Sequence, residues 1–239
     1  MKKALIIGAS SGMGKALAEI LTKNDYKTGI TGRRVELLQS IQNLHPDKIV
    51  FRQIDVQEVS SLEFICNEIV NELGGLHLLV ISAGIGEENK SLDFSIDDDV
   101  IKTDILGFTS LANWGMRYFK NQGYGHLVNI SCSIAGIRGN GQAPSYSATK
   151  AFQINYLEGL RLNAYKCGIS IDVTDIRPCF VNTDMAKGEG LFWVAPVEKA
   201  AQQIFLAIKR KKKAAFITKR WLVLGSALKI LPYSILKKL

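Results

Sequence analysis

A glycine-rich segment directly after the first apolar run of the chain restricts the fold more than any other feature. It reads Gly8-Ala9-Ser10-Ser11-Gly12-Met13-Gly14. Glycine permits tight turns and lets an anionic group approach the main chain, and the N–H groups at the start of a following helix attract an anion. The segment therefore predicts a phosphate-binding turn between a strand and a helix, with a plain structural turn as the alternative. The candidate contacts are Gly8, Ser10, Ser11, Gly12, Met13 and Gly14.

Short apolar runs alternate with longer amphipathic stretches along the chain. The runs predict strands at 4–8, 27–31, 48–52, 76–81, 126–131, 170–176 and 214–218. The stretches predict helices at 14–23, 35–43, 58–72, 98–120, 145–166 and 197–210. Several runs lack alternation of apolar and polar residues, as strands buried on both faces should. The pattern predicts an α/β fold, a Rossmann-like, doubly wound parallel sheet with helices on both faces and ligands beyond the carboxyl ends of the strands.

Length and composition fit one domain followed by a tail. The chain has 239 residues, of which 47% are hydrophobic and 22% charged, enough for one large core. We predict a domain over 1–218 and a basic, apolar tail over 219–239. All 22 acidic residues lie at or before Glu198, whereas eleven basic residues follow it, so the body of the protein carries no positive excess that would favour nucleic acid. The four cysteines lack metal-ligand spacing and favour a reducing, cytoplasmic compartment.

The tail is apolar and basic but too short to span a bilayer. Trp221 and Tyr233 lie near lysines in this segment, which suits a helix at an anionic membrane interface. Docking of the tail on its own domain or on a partner subunit is the second interpretation. The residues alone favour neither.

The end of the second predicted strand bears on the choice of nucleotide. A site that prefers NAD places an acidic residue here for the ribose 2′-hydroxyl, but this chain has Gly32 followed by Arg33 and Arg34. A guanidinium binds a 2′-phosphate with paired donors. Cations are slightly unfavourable at a helix start, which favours a phosphate ligand over the alternative of two solvated arginines. We expect NADP(H) as the preferred cofactor, with NAD(H) still accepted.

Two further strand ends carry candidate cofactor contacts. Asp55 and Val56 follow the third predicted strand, where a carboxylate suits the adenine amino group or caps the next helix. Ala83 and Gly84 follow the fourth, and their small size lets a cofactor lie against the backbone.

Chemistry-bearing residues come later in the chain. Tyr146 and Lys150 lie four apart in a predicted helix and so face the same side, and Ser133 ends the fifth strand. With the glycine segment, Asp55, Ser82-Ala83-Gly84, Asn129-Ile130-Ser131-Cys132-Ser133 and Arg177-Pro178, they make the chain resemble the short-chain dehydrogenase/reductase family over about residues 3–218.

The resemblance implies a role for each matching residue. Tyr146 would be the general acid in carbonyl reduction and the general base in alcohol oxidation, with the ammonium of Lys150 stabilising the phenolate and binding the nicotinamide ribose. Ser133 would bind the substrate oxygen. Pro178, Val181 and Thr183 would contact the nicotinamide end of the cofactor. The resemblance also implies a homodimer or homotetramer.

One departure from the family pattern concerns the catalytic cluster itself. The family asparagine, whose main-chain carbonyl holds a water leading to the lysine, is replaced by Asp104. We expect Asp104 to keep this backbone role or to pair with Lys150, which would raise the pKa of Tyr146.

Substrate and activity are constrained only in class. Residues 185–194 contain Leu191, Phe192 and Trp193 and suggest a lid over a hydrophobic substrate. Two functions compete: an NADPH-dependent enzyme that interconverts a carbonyl compound and an alcohol, and a non-catalytic NADPH-binding regulatory or scaffold protein. The presence of Ser133, Tyr146 and Lys150 favours the enzyme.

Overall fold

The structure, a computed structural model, describes residues 1–183, 192–218 and 220–236. Its strands form a seven-stranded parallel sheet in this part of the chain. They are β1 (Lys2–Ile7), β2 (Tyr26–Gly32), β3 (Ile49–Gln53), β4 (Leu78–Ile81), β5 (Tyr124–Ile130), β6 (Ser170–Pro178) and β7 (Ala214–Ile217). The spatial order is β3-β2-β1-β4-β5-β6-β7, so strand order reverses at β1, where a doubly wound sheet forms its ligand crevice. The prediction of a doubly wound parallel sheet is confirmed.

Helices cover both faces of the sheet. They are α1 (Gly12–Lys23), α2 (Val35–Leu44), α3 (Val59–Leu73), α4 (Phe94–Ile101), α5 (Phe108–Gln122), α6 (Pro144–Lys166), α7 (Val197–Lys209), α8 (Arg220–Ile230) and α9 (Tyr233–Leu236). A π-helical turn, Lys102–Gly107, joins α4 to α5. The single regular helix predicted over 98–120 is wrong in this respect: the helical segment begins earlier, at a cap in which Asp93 accepts a bond from the Ser95 N–H, and widens in its middle.

The core lies in two layers, one on each side of the sheet. Ala4 and Ile6 of β1 pack with side chains of α1, α2 and α7. Leu5 and Ile7 pack on the other side with side chains of α3, α5 and α6. Neighbouring residues of β1 therefore each have a buried environment, which explains why the sequence shows no alternation there.

The tail docks on the domain through Trp221. This side chain is 0% exposed, and its ring centroid lies 5.5 Å from Phe180, 5.3 Å from Phe192 and 5.5 Å from Trp193. The guanidinium of Arg138 donates to the carbonyl oxygens of residues 228, 229 and 231 at the end of α8. Trp221 is therefore not the membrane anchor that one interpretation of the tail expected, because it docks on its own domain. Tyr233, the other aromatic residue of that interpretation, is 78% exposed.

Candidate active site

A cleft of about 440 Å³ opens at the carboxyl ends of β1 and β4. It is the crevice at the point of strand reversal. Its lining comprises Ile7, Gly8, Ser10, Ser11, Gly12, Met13, Thr31, Gly32, Arg33, Arg34, Ile54, Asp55, Val56, Ser82, Ala83, Gly84, Ile85, Thr103 and Thr183. Most residues predicted to bind the adenosine and pyrophosphate parts of a cofactor are thus brought together along one cleft.

Close packing explains why two positions of the loop are occupied by glycine. Gly8 has φ +86°, and a Cβ atom there would lie 2.5 Å from the main-chain nitrogen of Ala83. A Cβ atom on Gly14 would overlap the carbonyl oxygen of Gly8. Gly14 is not part of the cleft lining, so its visible role is to let α1 pack beneath the loop.

Arg34 is tied to the glycine loop. Its guanidinium donates to the hydroxyl of Ser10 at 3.0 Å and to that of Ser11 at 2.6 Å. Arg33 lines the same end of the cleft, and both arginines are exposed. A concentration of guanidinium and hydroxyl donors at the end of β2 suits an anionic group.

Asp55 caps a turn and not a helix. Its Oδ1 accepts from the Gln57 N–H at 3.0 Å, but α3 begins at Val59 with Glu58 as its N-cap residue. The helix-cap alternative for Asp55 is wrong, and its carboxylate remains in the cleft lining beside Val56.

The residues present fit a dinucleotide. The cleft has a glycine loop and guanidinium donors at one end, and Gly84 in its lining lies against Asp104 and Lys150. Ser133 is 0% exposed and does not line the cleft. The Ser133 hydroxyl has no oxygen or nitrogen partner among the described residues, and only the Cys179 thiol lies close enough to bond it. A buried hydroxyl with so weak a partner costs free energy, which makes Ser133 a candidate hydrogen-bond donor to a ligand.

The chemical cluster lies on α6 and at the end of β5. Tyr146 and Lys150 are one turn apart on α6, with Lys150 Nζ 5.3 Å from the centroid of the Tyr146 ring. The Ser133 N–H donates to the Pro178 carbonyl at 2.7 Å, which holds the serine where β5 and β6 end. The structure therefore places the three residues on adjoining elements at the predicted edge of the sheet.

Asp104 and Lys150 form a buried ion pair. Lys150 Nζ lies 2.7 Å from Asp104 Oδ2, with side-chain exposures of 5% and 0%. The other carboxylate oxygen accepts from the Ile85 N–H at 3.3 Å. A Cβ atom on Gly84 would come within 3.0 Å of Asp104 Oδ1 and 3.2 Å of Lys150 Nζ, so Gly84 lets the backbone pass directly over the pair. The pairing alternative predicted for Asp104 is observed.

Tyr146 holds its proton strongly. Burial raises the pKa of its phenol well above the usual 10.0, and Cys132 and Asp104 raise it further. Cys179 lies close by, and burial raises the pKa of its thiol to about 12. The phenol is therefore in the acid form at neutral pH, which is the form that donates a proton.

Gln153 is a buried residue of the site that sequence reasoning missed. It is 1% exposed, and its Nε2 donates to the main-chain carbonyl of Asp104 at 2.8 Å. A signal was present, because Gln153 follows Lys150 by three residues on α6 and so shares its face. The pattern did not identify it because a glutamine at this spacing is usually a solvated side chain.

Only some of the residues predicted to contact the nicotinamide end are found in the cleft. Thr183 lines the cleft opposite Gly12, whereas Val181 is 2% exposed and bridges to Ala195. Phe192 and Trp193 are about half exposed and pack against the Phe180–Trp221 cluster. Residues 185–191 of the predicted lid, including Leu191, lie outside the described residues.

Comparison with known proteins gives consistent matches. The family model described as short chain dehydrogenase matches residues 2–191. An uncharacterized oxidoreductase of Staphylococcus aureus is 32% identical over 185 residues, covering 76% of this chain and 79% of that protein. One from Staphylococcus haemolyticus is 30% identical, covering 77% and 80%.

Solved structures agree on the fold. The structure of ElxO with NADP bound has a TM-score of 0.76 at 26% identity, covering 86% of this chain and 90% of that one. An alcohol dehydrogenase from the archaeon Thermococcus sibiricus, complexed with 5-hydroxy-NADP, has a TM-score of 0.80 at 20% identity and covers 90% and 95%.

Proposed function

The chain belongs to the short-chain dehydrogenase family of NAD(P)-dependent oxidoreductases, and on that premise we propose that it interconverts a hydrophobic carbonyl compound and its alcohol with NADPH. The observation that carries the proposal is the cluster of Ser133, Tyr146 and Lys150 beside a cleft suited to a dinucleotide. NADPH, when bound, supplies the hydride. The protein supplies binding, orientation and the proton.

Each residue of the cluster has a defined task in this proposal. The buried Ser133 hydroxyl donates to the substrate oxygen, where negative charge grows during reduction. Tyr146 donates its phenolic proton to that oxygen, and Lys150 stabilises the phenolate that remains. Asp104 is the fourth member, because its carboxylate fixes the ammonium. The raised pKa keeps the Tyr146 phenol protonated in the free protein but also makes it a weaker acid, so proton donation depends on stabilisation of the phenolate by Lys150.

The proposal of NADPH over NADH rests on the end of β2. Gly32 leaves the ribose 2′ position without an acidic neighbour, and Arg34 is held across the loop by two serine hydroxyls. ElxO, a relative of 26% identity, has a structure with NADP bound. These observations support a 2′-phosphate contact through Arg33 and Arg34.

The remaining cofactor contacts are proposed on position. Gly8, Ser10, Ser11, Gly12, Met13 and Gly14 would form the pyrophosphate turn, Asp55 and Val56 the adenine end, and Ala83 and Gly84 the floor. Pro178, Val181 and Thr183 would contact the nicotinamide end. The half-exposed rings of Phe192 and Trp193 support a hydrophobic substrate.

Assembly and location are proposed more coarsely. We expect a homodimer or homotetramer, as in many members of the family, in a cytoplasmic protein. The four cysteines are free. No helix of the described residues is long and apolar enough to cross a membrane. A peripheral membrane contact would involve the exposed side chains of the tail and not Trp221.

The test is consumption of NADPH in the presence of a panel of aldehydes, ketones, steroids and lipid ketones. Tyr146→Phe is expected to bind NADPH as the wild type does and to lose at least about 99% of turnover, since proton donation contributes roughly 10²–10⁴-fold. Tyr165→Phe, an exposed position on the same helix, is the matched control and should be fully active. Full activity of Tyr146→Phe would contradict the assignment. NADPH binding without turnover of any compound would favour the non-catalytic alternative.

A further inference from the structure

The carboxamide of Gln153 lies between the groups that hold Lys150. Its Nε2 donates to the main-chain carbonyl of Asp104 at 2.8 Å. Its Oε1 accepts from Asn129 Nδ2 at 3.2 Å and, more weakly, from Lys150 Nζ at 3.5 Å. Gln153 and Asn129 are each 1% exposed, so these bonds are shielded from solvent.

The orientation of this carboxamide is fixed by its neighbours. A main-chain carbonyl only accepts, so the nitrogen of Gln153 must face Asp104. An ammonium only donates, so the oxygen must face Lys150. Both requirements are met by one orientation, which places the negative end of the amide dipole towards the ammonium.

We propose that Gln153 is a positioning residue that bridges the main-chain carbonyl of Asp104 to the ammonium of Lys150 and sets the direction of the remaining ammonium donor. An ammonium has three donors. Asp104 Oδ2 accepts one and Gln153 Oε1 a second, which leaves the third for the side of the site where Tyr146 lies. This inference rests on the proposed role of Lys150 beside Tyr146 and the cofactor ribose.

The bridge through Gln153 matters because the ion pair with Asp104 fixes only one of the three N–H directions of the Lys150 ammonium. Without Gln153 Oε1, the ammonium is free to rotate and shift towards the carboxylate of Asp104. Its field at the phenol of Tyr146 then weakens, and its reach to a ribose hydroxyl changes. Both effects would change catalysis and cofactor binding without disrupting the packing of the core.

Two variants distinguish the loss of the hydrogen-bond bridge from the loss of side-chain volume at position 153. Gln153→Leu keeps most of the volume but removes both polar atoms. Gln153→Ala leaves a space next to three polar groups, Asp104 O, Lys150 Nζ and Asn129 Nδ2, and a water needs two to four such partners. We therefore expect the alanine variant to recover a bridge through water and the leucine variant to lose it.

The measurements are the NADPH dissociation constant from fluorescence titration and the pH dependence of kcat/KM for alcohol oxidation. For Gln153→Leu we expect affinity weaker by about tenfold and a pH midpoint higher by about one unit. For Gln153→Ala we expect a dissociation constant within about threefold of the wild-type value and a pH midpoint within about half a unit of it. A loss of folded protein alone would lower kcat and leave the midpoint unchanged.

Gln122→Leu is the matched control. Its Nε2 also donates to a main-chain carbonyl, that of Leu76, at 2.7 Å, but at the opposite end of β4 from the cleft. This variant should keep the wild-type affinity and midpoint.

The proposal is overturned if Gln153→Leu matches the wild type or if the leucine and alanine variants are equally impaired. Should Gln153→Leu not fold, Gln153→Met keeps the length of the side chain but has no donor and no strong acceptor, and an unchanged midpoint there would equally overturn it. NADPH affinity is measured without substrate, so it tests Gln153 even if no carbonyl compound is reduced.

Discussion

The tyrosine proposed as the proton donor and its lysine are neighbours of a carboxylate that opposes the lysine charge. Lys150 and Asp104 are both buried and 2.7 Å apart, so at the phenol of Tyr146 the pair acts more as a dipole than as a cation. Burial is the main reason why the pKa of Tyr146 is raised, and Asp104 adds to it. Alcohol oxidation, which needs the phenolate as general base, should therefore require a higher pH.

Replacing Asp104 by asparagine tests this electrostatic argument. Asp104→Asn removes the charge that raises the pKa of Tyr146, so the pH midpoint of alcohol oxidation should fall by about one unit. Activity at neutral pH should be preserved or improved. The same change leaves a buried ammonium unpaired, so the free energy of unfolding should fall by about 3–5 kcal/mol. The measurements are a kcat/KM pH profile and denaturant unfolding.

Asp175→Asn is the control for Asp104→Asn. Asp175 is 0% exposed and pairs with Arg177 at 2.6 Å, so its loss should lower stability without moving the oxidation midpoint. A large loss of turnover in Asp104→Asn at every pH would show that the carboxylate has a chemical function of its own.

Arg34 is the residue on which cofactor choice is most directly tested. Arg34→Ala removes donors that reach Ser10 and Ser11 at the end of the cleft proposed to hold the 2′-phosphate. The Michaelis constant for NADPH should rise by about tenfold or more, because charge-assisted bonds contribute about 1.5–3 kcal/mol, while that for NADH stays unchanged. Equal changes for both cofactors would refute a 2′-phosphate contact, and Arg52→Ala, whose partner is the exposed Glu72, should alter neither.

Single residues differed in how far their roles were predictable. The glycine spacing, and the spacing of Tyr146 and Lys150, report local geometry and so were informative. The contact between Asp104 and Lys150 was foreseen as one of two alternatives. Gln153 was not, because its bonds join α6 to a carbonyl 49 residues earlier in the chain, and no local pattern encodes such a contact.

At the scale of elements, strands were predicted more closely than the middle of the long helical segment. Apolar runs locate buried strands because both faces are covered. The π-helical turn at Lys102–Gly107 has no comparable signal in a single sequence, although such turns are frequent at functional sites. Here the turn contains Asp104, whose carbonyl accepts from Gln153.

The pairing of β5 with β6 contains a buried histidine that should make stability depend on pH. Burial lowers the pKa of His126 from 6.5 to about 4. Thr174 donates its own proton to the Lys212 carbonyl, so it accepts from His126 Nε2 at 2.8 Å. The imidazole is therefore neutral when folded, whereas the unfolded chain takes up a proton below pH 6.5.

Acidification should therefore destabilise the protein through this residue. Between pH 6.5 and about 4 the contribution of His126 amounts to roughly 3 kcal/mol, from 1.36 kcal/mol for each unit of pKa shift. Denaturant unfolding at a series of pH values measures it. His126→Gln has no titrating group, so its stability should decline less over the same range. Parallel declines for the two proteins would show that other groups are responsible.

At the scale of the whole molecule, the tail is both part of the domain and an exposed surface. Trp221 packs into the aromatic cluster, and the end of α8 is held by Arg138. The opposite side of the tail leaves Val223 73% and Ile230 82% exposed. Composition predicted an apolar, basic segment but not which side chains turn inward, since that depends on long-range contacts with the segments after β5 and β6.

Membrane contact is best tested with those exposed side chains. Deleting the tail would remove Trp221 from the core and confuse unfolding with loss of binding. Val223→Ser with Ile230→Ser removes exposed apolar surface and leaves Trp221 and Arg138 in place. If the tail lies on an anionic interface, co-sedimentation with vesicles containing phosphatidylserine should weaken by about tenfold or more, because each buried aliphatic side chain contributes about 1.5–3 kcal/mol. Phe64→Ser, which alters a 67% exposed ring on α3, should leave binding unchanged, and equal binding of all three proteins would show that the tail is only a structural extension of the domain.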